Sequence, residues 1–391
     1  MRDGRDPAGM PSERAAAVTP FAAMDVLERA ADRADVIHME VGEPDFAPPA
    51  AATEAAVDAL RAGDDDYTTS RGRRSLRDAI SGYYAAEYGV SVPAERIVVT
   101  PGSSPALLTV LLATVDPGSA VVLSDPHYAC YPNFVRLADG VVRTVGLAPD
   151  AGFQPAVSDY DAAIGDDTAA MLLNSPGNPT GAVIDGESLS ALVALADRTD
   201  TAVVSDEIYH GLAFDAAAHS VLEYTDDAFV IDGVSKRYGM TGWRLGWVVC
   251  PRRYVDTINA IAQNTLICAP SFVQAGAEAA IRHGTDWLDG VRADYRTRRD
   301  ILCAAAERWG FDPGYTPAGA YYMLLDVSRL GAAPAVADAL LETAGVAVTP
   351  GPDFGANATE YVRASFAVST DAVREAVARI DAVLASATTL T

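Results

Sequence analysis

Lys236 is the only lysine in a chain of 391 residues that carries 29 basic side chains. A lysine amine can lose its proton, attack an aldehyde and form a Schiff base, whereas arginine stays protonated and cannot. A coding bias or a high-salt proteome would also purge lysine and leave one survivor by chance, but neither explains where it survived. Lys236 follows a predicted buried strand, Ala228 to Asp232, and precedes Arg244 in the spacing S-K-x(7)-R within IDGVSKRYGMTGWRLG. A second stretch, Arg96 to Ala113, has chemistry of another kind. Its apolar strand IVVT breaks at Pro101-Gly102-Ser103-Ser104 and resumes as the helical run ALLTVLLATV. A strand, a small-residue turn and a helix N-terminus together can hold an anion through backbone N–H groups and the helix dipole.

Both stretches need a scaffold, and the runs around them supply one. AVVLSD, VVRTVGL, AAMLLNS, TAVVSD and AFVIDG are short and apolar throughout, the pattern of parallel strands buried on both faces. Between them, stretches such as Tyr131 to Ala138 and Ser188 to Arg198 are long enough for crossover helices. The fold class is therefore α/β, with no repeat period of 20 to 50 residues.

Ahead of the sheet, residues 1–18 read as a mobile polar arm. A helix follows, with Thr19 as its cap, Pro20 in its first turn and apolar positions at Phe21, Met24, Val26 and Leu27. VIHMEVGEPDF then reads as a strand stopped by Gly42 and Pro44. Residues 52–62 are helical, and the loop DDDYTTSRGRRSLRDAI leads into a helix through Leu76 and Ile80. Most of that loop's arginines read as a solvated face.

After Arg252 the helices lengthen: Tyr254 to Asn264, Val273 to His283 and Trp287 to Trp309. A strand-like GAYYMLLDV, a helix at Pro334 to Thr343, strands at VAVTPG and YVRASFA, and a last helix at Thr370 to Ala385 with a frayed tail complete the chain. This mixture predicts a smaller α+β lobe joined by the N-terminal helix. The division is 1–47 for the arm and part of the small domain, 48–285 for the large domain, and 286–391 for the small domain.

The 53 acidic residues give a net charge of −24 and a pI near 4.4, which excludes a partner that needs a basic face, such as nucleic acid, and disfavours anionic lipid. High-salt adaptation and a GC-rich genome explain the scarcity of lysine equally well. Cys130, Cys250, Cys268 and Cys303 have apolar neighbours and no C-x-x-C spacing, so they read as reduced thiols. The five histidines show no metal-binding spacing. No apolar run reaches the ~18 residues of a membrane span, the first ten residues lack a signal-peptide core, and the expected location is the cytoplasm.

Several motifs lie in an order that is similar to the class I aminotransferases, the aspartate aminotransferase superfamily of fold type I: GEPDF, NSPGNPTG, SDEIY, SK-x(7)-R and VRASFA. The resemblance covers nearly the whole chain. It implies a large domain built on a mainly parallel seven-stranded sheet, and pyridoxal 5′-phosphate (PLP) as cofactor. In that family pattern Lys236 holds the cofactor as a Schiff base and moves a proton during transfer. Asp206 matches the carboxylate that keeps the pyridine nitrogen protonated, although an Asp at a strand end is otherwise a helix cap. Tyr209 and Asn178 match the hydrogen-bond partners of the phenolic oxygen. Tyr128 falls where the family stacks an aromatic ring, commonly Trp or Phe.

The resemblance gives the phosphate to Ser235, Arg244 and the N–H groups of Ser103 and Ser104. It gives the substrate α-carboxylate to Arg363, with Gly42 and Asn178 beside it. It also implies a homodimer, with Tyr67 of DYTTSRG reaching the neighbouring subunit's phosphate. The expected reaction is ping-pong transfer of an amino group from an L-amino acid to a 2-oxo acid. A PLP lyase or synthase on the same scaffold is the enzymatic alternative, and a cofactor-sensing regulator domain the non-enzymatic one. Ser104 stands where one bacterial subgroup has a lysine for a distal carboxylate, so aspartate specificity would need Arg71 or Arg74 to reach the pocket.

Overall fold

A computed structural model describes residues 11–386. After a short β1 (Ile37–His38), seven strands form the main sheet: β2 (Ile97–Thr100), β3 (Ala120–Asp125), β4 (Val141–Gly146), β5 (Thr168–Asn174), β6 (Ala202–Asp206), β7 (Ala228–Gly233) and β8 (Gly246–Val249). Their order across the sheet is β2-β8-β7-β6-β5-β3-β4. Neighbours are parallel except around β8, which runs antiparallel to both β2 and β7.

Alternate residues of each strand point to opposite faces, and each face meets helices. Val98, Val121, Leu123, Leu172, Val204 and Ile231 pack on one side with Leu107, Val110 and Ile258 of the helices Ser103–Thr114 and Val255–Thr265. Val99, Val122, Met171, Val203, Val230 and Trp247 pack on the other with Leu76, Leu192 and Val273 of the helices Arg74–Tyr88, Gly186–Thr199 and Ser271–His283. Burying a Val, Leu or Ile side chain contributes about 1.5–3 kcal/mol, which explains why the runs carry almost no polar residue until their carboxyl ends. Those ends place Asn174 on β5 and Asp206 on β6.

The second sheet is antiparallel. It comprises β9 (Tyr322–Asp326), β11 (Thr349–Pro350) and β12 (Tyr361–Ser365) in the order β11-β12-β9, while β1 pairs in parallel with β10 (Val346–Ala347). Leu302 and Ala306 of the helix Thr285–Trp309, and Val373 and Ile380 of the helix Thr370–Ser386, close the core of this sheet.

Several boundaries differ from the sequence-based expectation, each for a local reason. Thr19 does not cap the first long helix: its N–H and Oγ1 both donate to Asn133 Oδ1, at 3.1 and 3.2 Å, and the helix starts at Ala22 with Phe21 before it. The arm is not free along its described part, because Glu13–Ala16 forms a helical turn and Arg14 Nε donates to Asp139 at 2.9 Å. Residues 1–10 of that arm, and 387–391 of the tail, lie outside the described residues. The last helix runs through Ser386, past the expected end at Ala385. The stretch VAVTPG splits into β10 and β11, which pair with different strands. β8 was not expected from the residues at all.

Candidate active site

One cavity lies outside the carboxyl ends of β5, β6 and β7, where open α/β sheets bind ligands. The opposite wall comes from the antiparallel sheet, through Tyr322 at the start of β9 and Arg363 in β12. The turn after β7 brings in Ser235 and Lys236.

Lys236 is half-buried because it borders the cavity, and its Nζ donates to the Gly42 carbonyl at 2.8 Å. The same carbonyl accepts the Tyr321 hydroxyl at 2.9 Å. Glycine at 42 is dictated by space, since a Cβ there would lie 1.5 Å from the Tyr322 hydroxyl oxygen. Burial pushes the Lys236 amine below the ordinary lysine value, which enlarges its neutral, nucleophilic fraction.

Asp206 is buried, with both carboxylate oxygens engaged. Tyr131 Oη donates to Oδ2 at 2.8 Å and the Ile208 N–H to Oδ1 at 3.2 Å. The second bond is the local turn contact expected of an Asp after a strand, but the side chain also lines the cavity. Burial pushes the carboxyl up to about 6, against the lowering effect of those two hydrogen bonds and of Lys236. Asn174 Nδ2 fixes the backbone here by donating to the Asp206 carbonyl at 2.9 Å.

Arg363 is 1% exposed and its hydrogen-bond partners are neutral. Nη1 donates to Asn178 Oδ1 at 2.9 Å, and Nη2 donates to the Glu40 carbonyl and, at 3.3 Å, to Thr349 Oγ1. Its Nε has no partner among the described residues. A buried guanidinium without a paired carboxylate is costly unless an anionic ligand completes it.

The far end of the cavity is built for an anion. The helix Ser103–Thr114 begins without a side-chain cap, so the first N–H groups have no intrahelical acceptor. Gly102 precedes it at φ 109°, and a Cβ there would come within 2.5 Å of Arg244 Nη2. Arg244 itself adopts the left-handed region at φ 54°, uncommon for a non-glycine residue, and Nη1 is braced on the Thr241 carbonyl at 2.8 Å.

Of the residues singled out from the sequence, Gly42, Ser103, Ser104, Tyr128, Asn178, Asp206, Tyr209, Ser235, Lys236, Arg244 and Arg363 all line this one cavity. Tyr67 does not: it is 82% exposed and stands on the surface of its own chain. Reasoning from sequence missed Tyr131, Asn174 and Tyr322. Asn174 lies inside the motif NSPGNPTG and Tyr131 opens the stretch Tyr131 to Ala138 read as a crossover helix, while Tyr322 lay in a run legible only as a strand.

The profile of the family described as aminotransferase class I and II matches residues 34–380. The chain belongs to that family. It is 34% identical to the valine–pyruvate aminotransferase of Mycobacterium tuberculosis, over 95% of this chain and 98% of the other. It is also 34% identical to the aspartate/prephenate aminotransferase of Thermus thermophilus, over 96% and 99%. The solved aspartate aminotransferase of Thermus thermophilus with maleate superposes with a TM-score of 0.91, at 34% identity, over 96% of this chain and all of that one. This class I aminotransferase has the mixed seven-stranded sheet expected of fold type I, is PLP-dependent and is a transaminase.

Proposed function

We propose that this transaminase carries an amino group from an L-amino acid to a 2-oxo acid in two half-reactions at the cavity around Lys236. The observation that carries the reading is the meeting of three groups there: the chain's single ε-amine, a buried acid and a buried guanidinium whose hydrogen-bond partners among the described residues are all neutral. Their chemistry fits PLP and an amino acid. Lys236 suits the cofactor's aldehyde, Asp206 its ring nitrogen, and Arg244, Ser235 and the N–H groups of Ser103 and Ser104 its phosphate. Tyr209 and Asn178 would face its phenolic oxygen, and Tyr128 its ring.

When bound, the cofactor supplies an aldehyde for the amine and a ring that accepts the electron pair of the broken Cα–H bond. The protein's part is positional and protonic. Arg363, with Asn178 and Gly42 beside it, binds the substrate α-carboxylate in two hydrogen bonds, and this fixes which Cα bond faces Lys236. Once the incoming amine holds the cofactor's aldehyde, the Lys236 amine would be free to take the substrate's Cα proton as general base. Asp206 keeps the ring nitrogen protonated, so that negative charge develops near a cation.

A large part, 48–285, and a small part from 1–47 and 286–391 are the natural division. It is supported by β1 pairing with β10 and by Val26 and Val36 packing on Leu341 and Ala347. A cytoplasmic site of action belongs to the same reading, supported by four unpaired thiols; no described helix is long and apolar enough to cross a membrane.

The donor is expected to be a neutral amino acid. Among the described residues, Lys236, Arg244 and Arg363 are the cations that line the cavity, and all three have work there. Arg71 is bound to Asp256 at 2.7 Å, and Arg74 to Asp78 and Glu95 at 2.8 and 2.7 Å. Phe21 and Met24 add apolar surface, and the Mycobacterium tuberculosis relative is named for valine and pyruvate. In a panel of donors with 2-oxoglutarate, alanine or larger apolar amino acids should reach a kcat/KM at least equal to that of aspartate. A large preference for aspartate that disappears in Arg71→Ala would overturn this.

A homodimer completes the proposal, with Tyr67 donating to the phosphate in the partner's cavity. Its support is an exposed, polar-tipped ring that stands outside the cavity of its own chain. Mixed dimers of Tyr67→Ala and Lys236→Ala subunits should regain activity, because one of the two cavities then has both lesions removed. An active monomer at assay concentration contradicts the assignment.

A further inference from the structure

Tyr322 touches three elements of the site at once. Its hydroxyl lies 3.1 Å from the Tyr209 hydroxyl. Its ring face lies 4.4 Å from the Arg363 guanidinium carbon, which is also 4.7 Å from the Phe354 ring. Its hydroxyl occupies the space a side chain at 42 would need, and so holds clear the backbone whose carbonyl receives Lys236. The residue is 2% exposed and held at the start of β9, where Tyr322 is in register with Ser365 of β12.

We infer that Tyr322 is a positioning residue with two separable parts: its hydroxyl turns the Tyr209 proton toward the cofactor, and its ring holds the plane of Arg363 for the substrate carboxylate. Two phenols 3.1 Å apart share one hydrogen bond, and only one of them can donate in it. If Tyr209 is to donate into the cavity, its oxygen must accept from Tyr322. The resulting chain, Tyr322 O–H to Tyr209 O and Tyr209 O–H to an oxyanion, polarises in one direction and strengthens the last bond. The ring acts differently: its face attracts the guanidinium and restricts its rotation without using a single N–H donor. Nη1 and Nη2 then stay aimed by Asn178, Glu40 and Thr349.

This inference rests on the assignment of Lys236 as cofactor lysine, and the test separates the two. The absorbance of the lysine-bound cofactor is titrated with pH in wild type, Tyr322→Phe, Tyr209→Phe and the double variant. Losing a donor to the phenolic oxyanion disfavours the deprotonated form, so Tyr322→Phe should raise the midpoint by about half a unit to one unit. The double variant should shift no further than Tyr209→Phe alone, since one hydroxyl acts through the other.

Isovalerate, a carboxylate without an amine, reads the second part. Its affinity should stay within about twofold in Tyr322→Phe and weaken about tenfold in Tyr322→Leu. An unmoved midpoint in Tyr322→Phe, additive shifts in the double variant, loss of cofactor uptake in Tyr322→Phe, or equal loss of isovalerate in both single variants overturns the inference. A cofactor-loaded wild type with no Schiff-base absorbance at any pH removes the Lys236 assignment instead.

Discussion

Lys236→Arg is expected to fold, to keep its positive charge near the Gly42 carbonyl, and to lose on the order of 10⁴ or more of its transaminase turnover. Guanidinium does not condense with an aldehyde at working pH, and it holds its proton too tightly to shuttle one between carbon atoms. On the proposed reading the variant removes both the tether and the base in one change. Because the chain has no second lysine, no neighbouring ε-amine can take over either task. The yellow colour of the lysine-bound cofactor should disappear, while circular dichroism and the melting curve stay close to wild type. A variant that remains coloured after dialysis and still transaminates would place the cofactor elsewhere and withdraw the family-based assignment of this residue.

Asp206→Ala is the second large effect. The variant should still take up PLP, held by Lys236 and the phosphate end, yet lose on the order of 10³ in kcat, the scale of removing one electrostatic partner of developing charge. Partial rescue by an N-methylated cofactor, whose ring nitrogen is permanently cationic, should follow. Near-normal turnover would reduce Asp206 to the turn residue that its Ile208 contact already makes it.

A thermodynamic signature accompanies this change. In the cofactor-free protein Asp206 holds its proton up to about 6, above the ~3.9 of an unfolded chain. Below both values the group is protonated in either state and contributes no pH dependence. Between them the unfolded chain has released a proton that the native state retains, so stability falls as pH rises from about 4 to about 6, by roughly 3 kcal/mol for a shift of this size. Glu207, which burial pushes up to about 8, adds a slope of the same sign. The contribution of Asp206 is therefore the difference between wild type and Asp206→Ala, and the variant's stability should fall less steeply across that window while keeping the slope due to Glu207. On the proposed reading bound PLP would place a cation beside Asp206, so the rise in Tm on adding cofactor should grow over the same pH range.

The parts of this site that could be read from sequence share a physical trait. Lys236 and Arg244 are fixed by their spacing along one turn, and Ser103 and Ser104 by a local strand, turn and helix. Asn178 and Asp206 end or follow strands whose apolar runs are unmistakable. Each is marked by a pattern near it in the chain, even where its contacts are distant, as with Lys236 and Gly42 or Asp206 and Tyr131. Tyr322 is not, because its role depends on β9 meeting Gly42 and Tyr209, 280 and 113 residues away, and nothing in GAYYMLLDV announces that.

β8 was missed for a similar reason. Gly246–Val249 is only four residues long, and it becomes a strand by insertion between β2 and β7, a decision made by tertiary pairing. The Thr19 cap failed in the opposite sense: the residue type was right for a cap, but Asn133, 114 positions later, claimed its donors. Tyr67 stands on the surface of its own chain, and only the proposed homodimer would give it a site.

The most direct measurement is reduction of the holoenzyme with borohydride followed by peptide mass mapping. Reduction converts a Schiff base into a stable secondary amine, so the phosphopyridoxyl mass stays with the nitrogen that held it. With one lysine in the chain, the expected result is a single modified peptide containing Ser235 and Lys236, formed in stoichiometric yield and absent from Lys236→Arg. Label recovered only on the N-terminal amine, or no covalent label in an enzyme that is active and coloured, would contradict the central role given to Lys236.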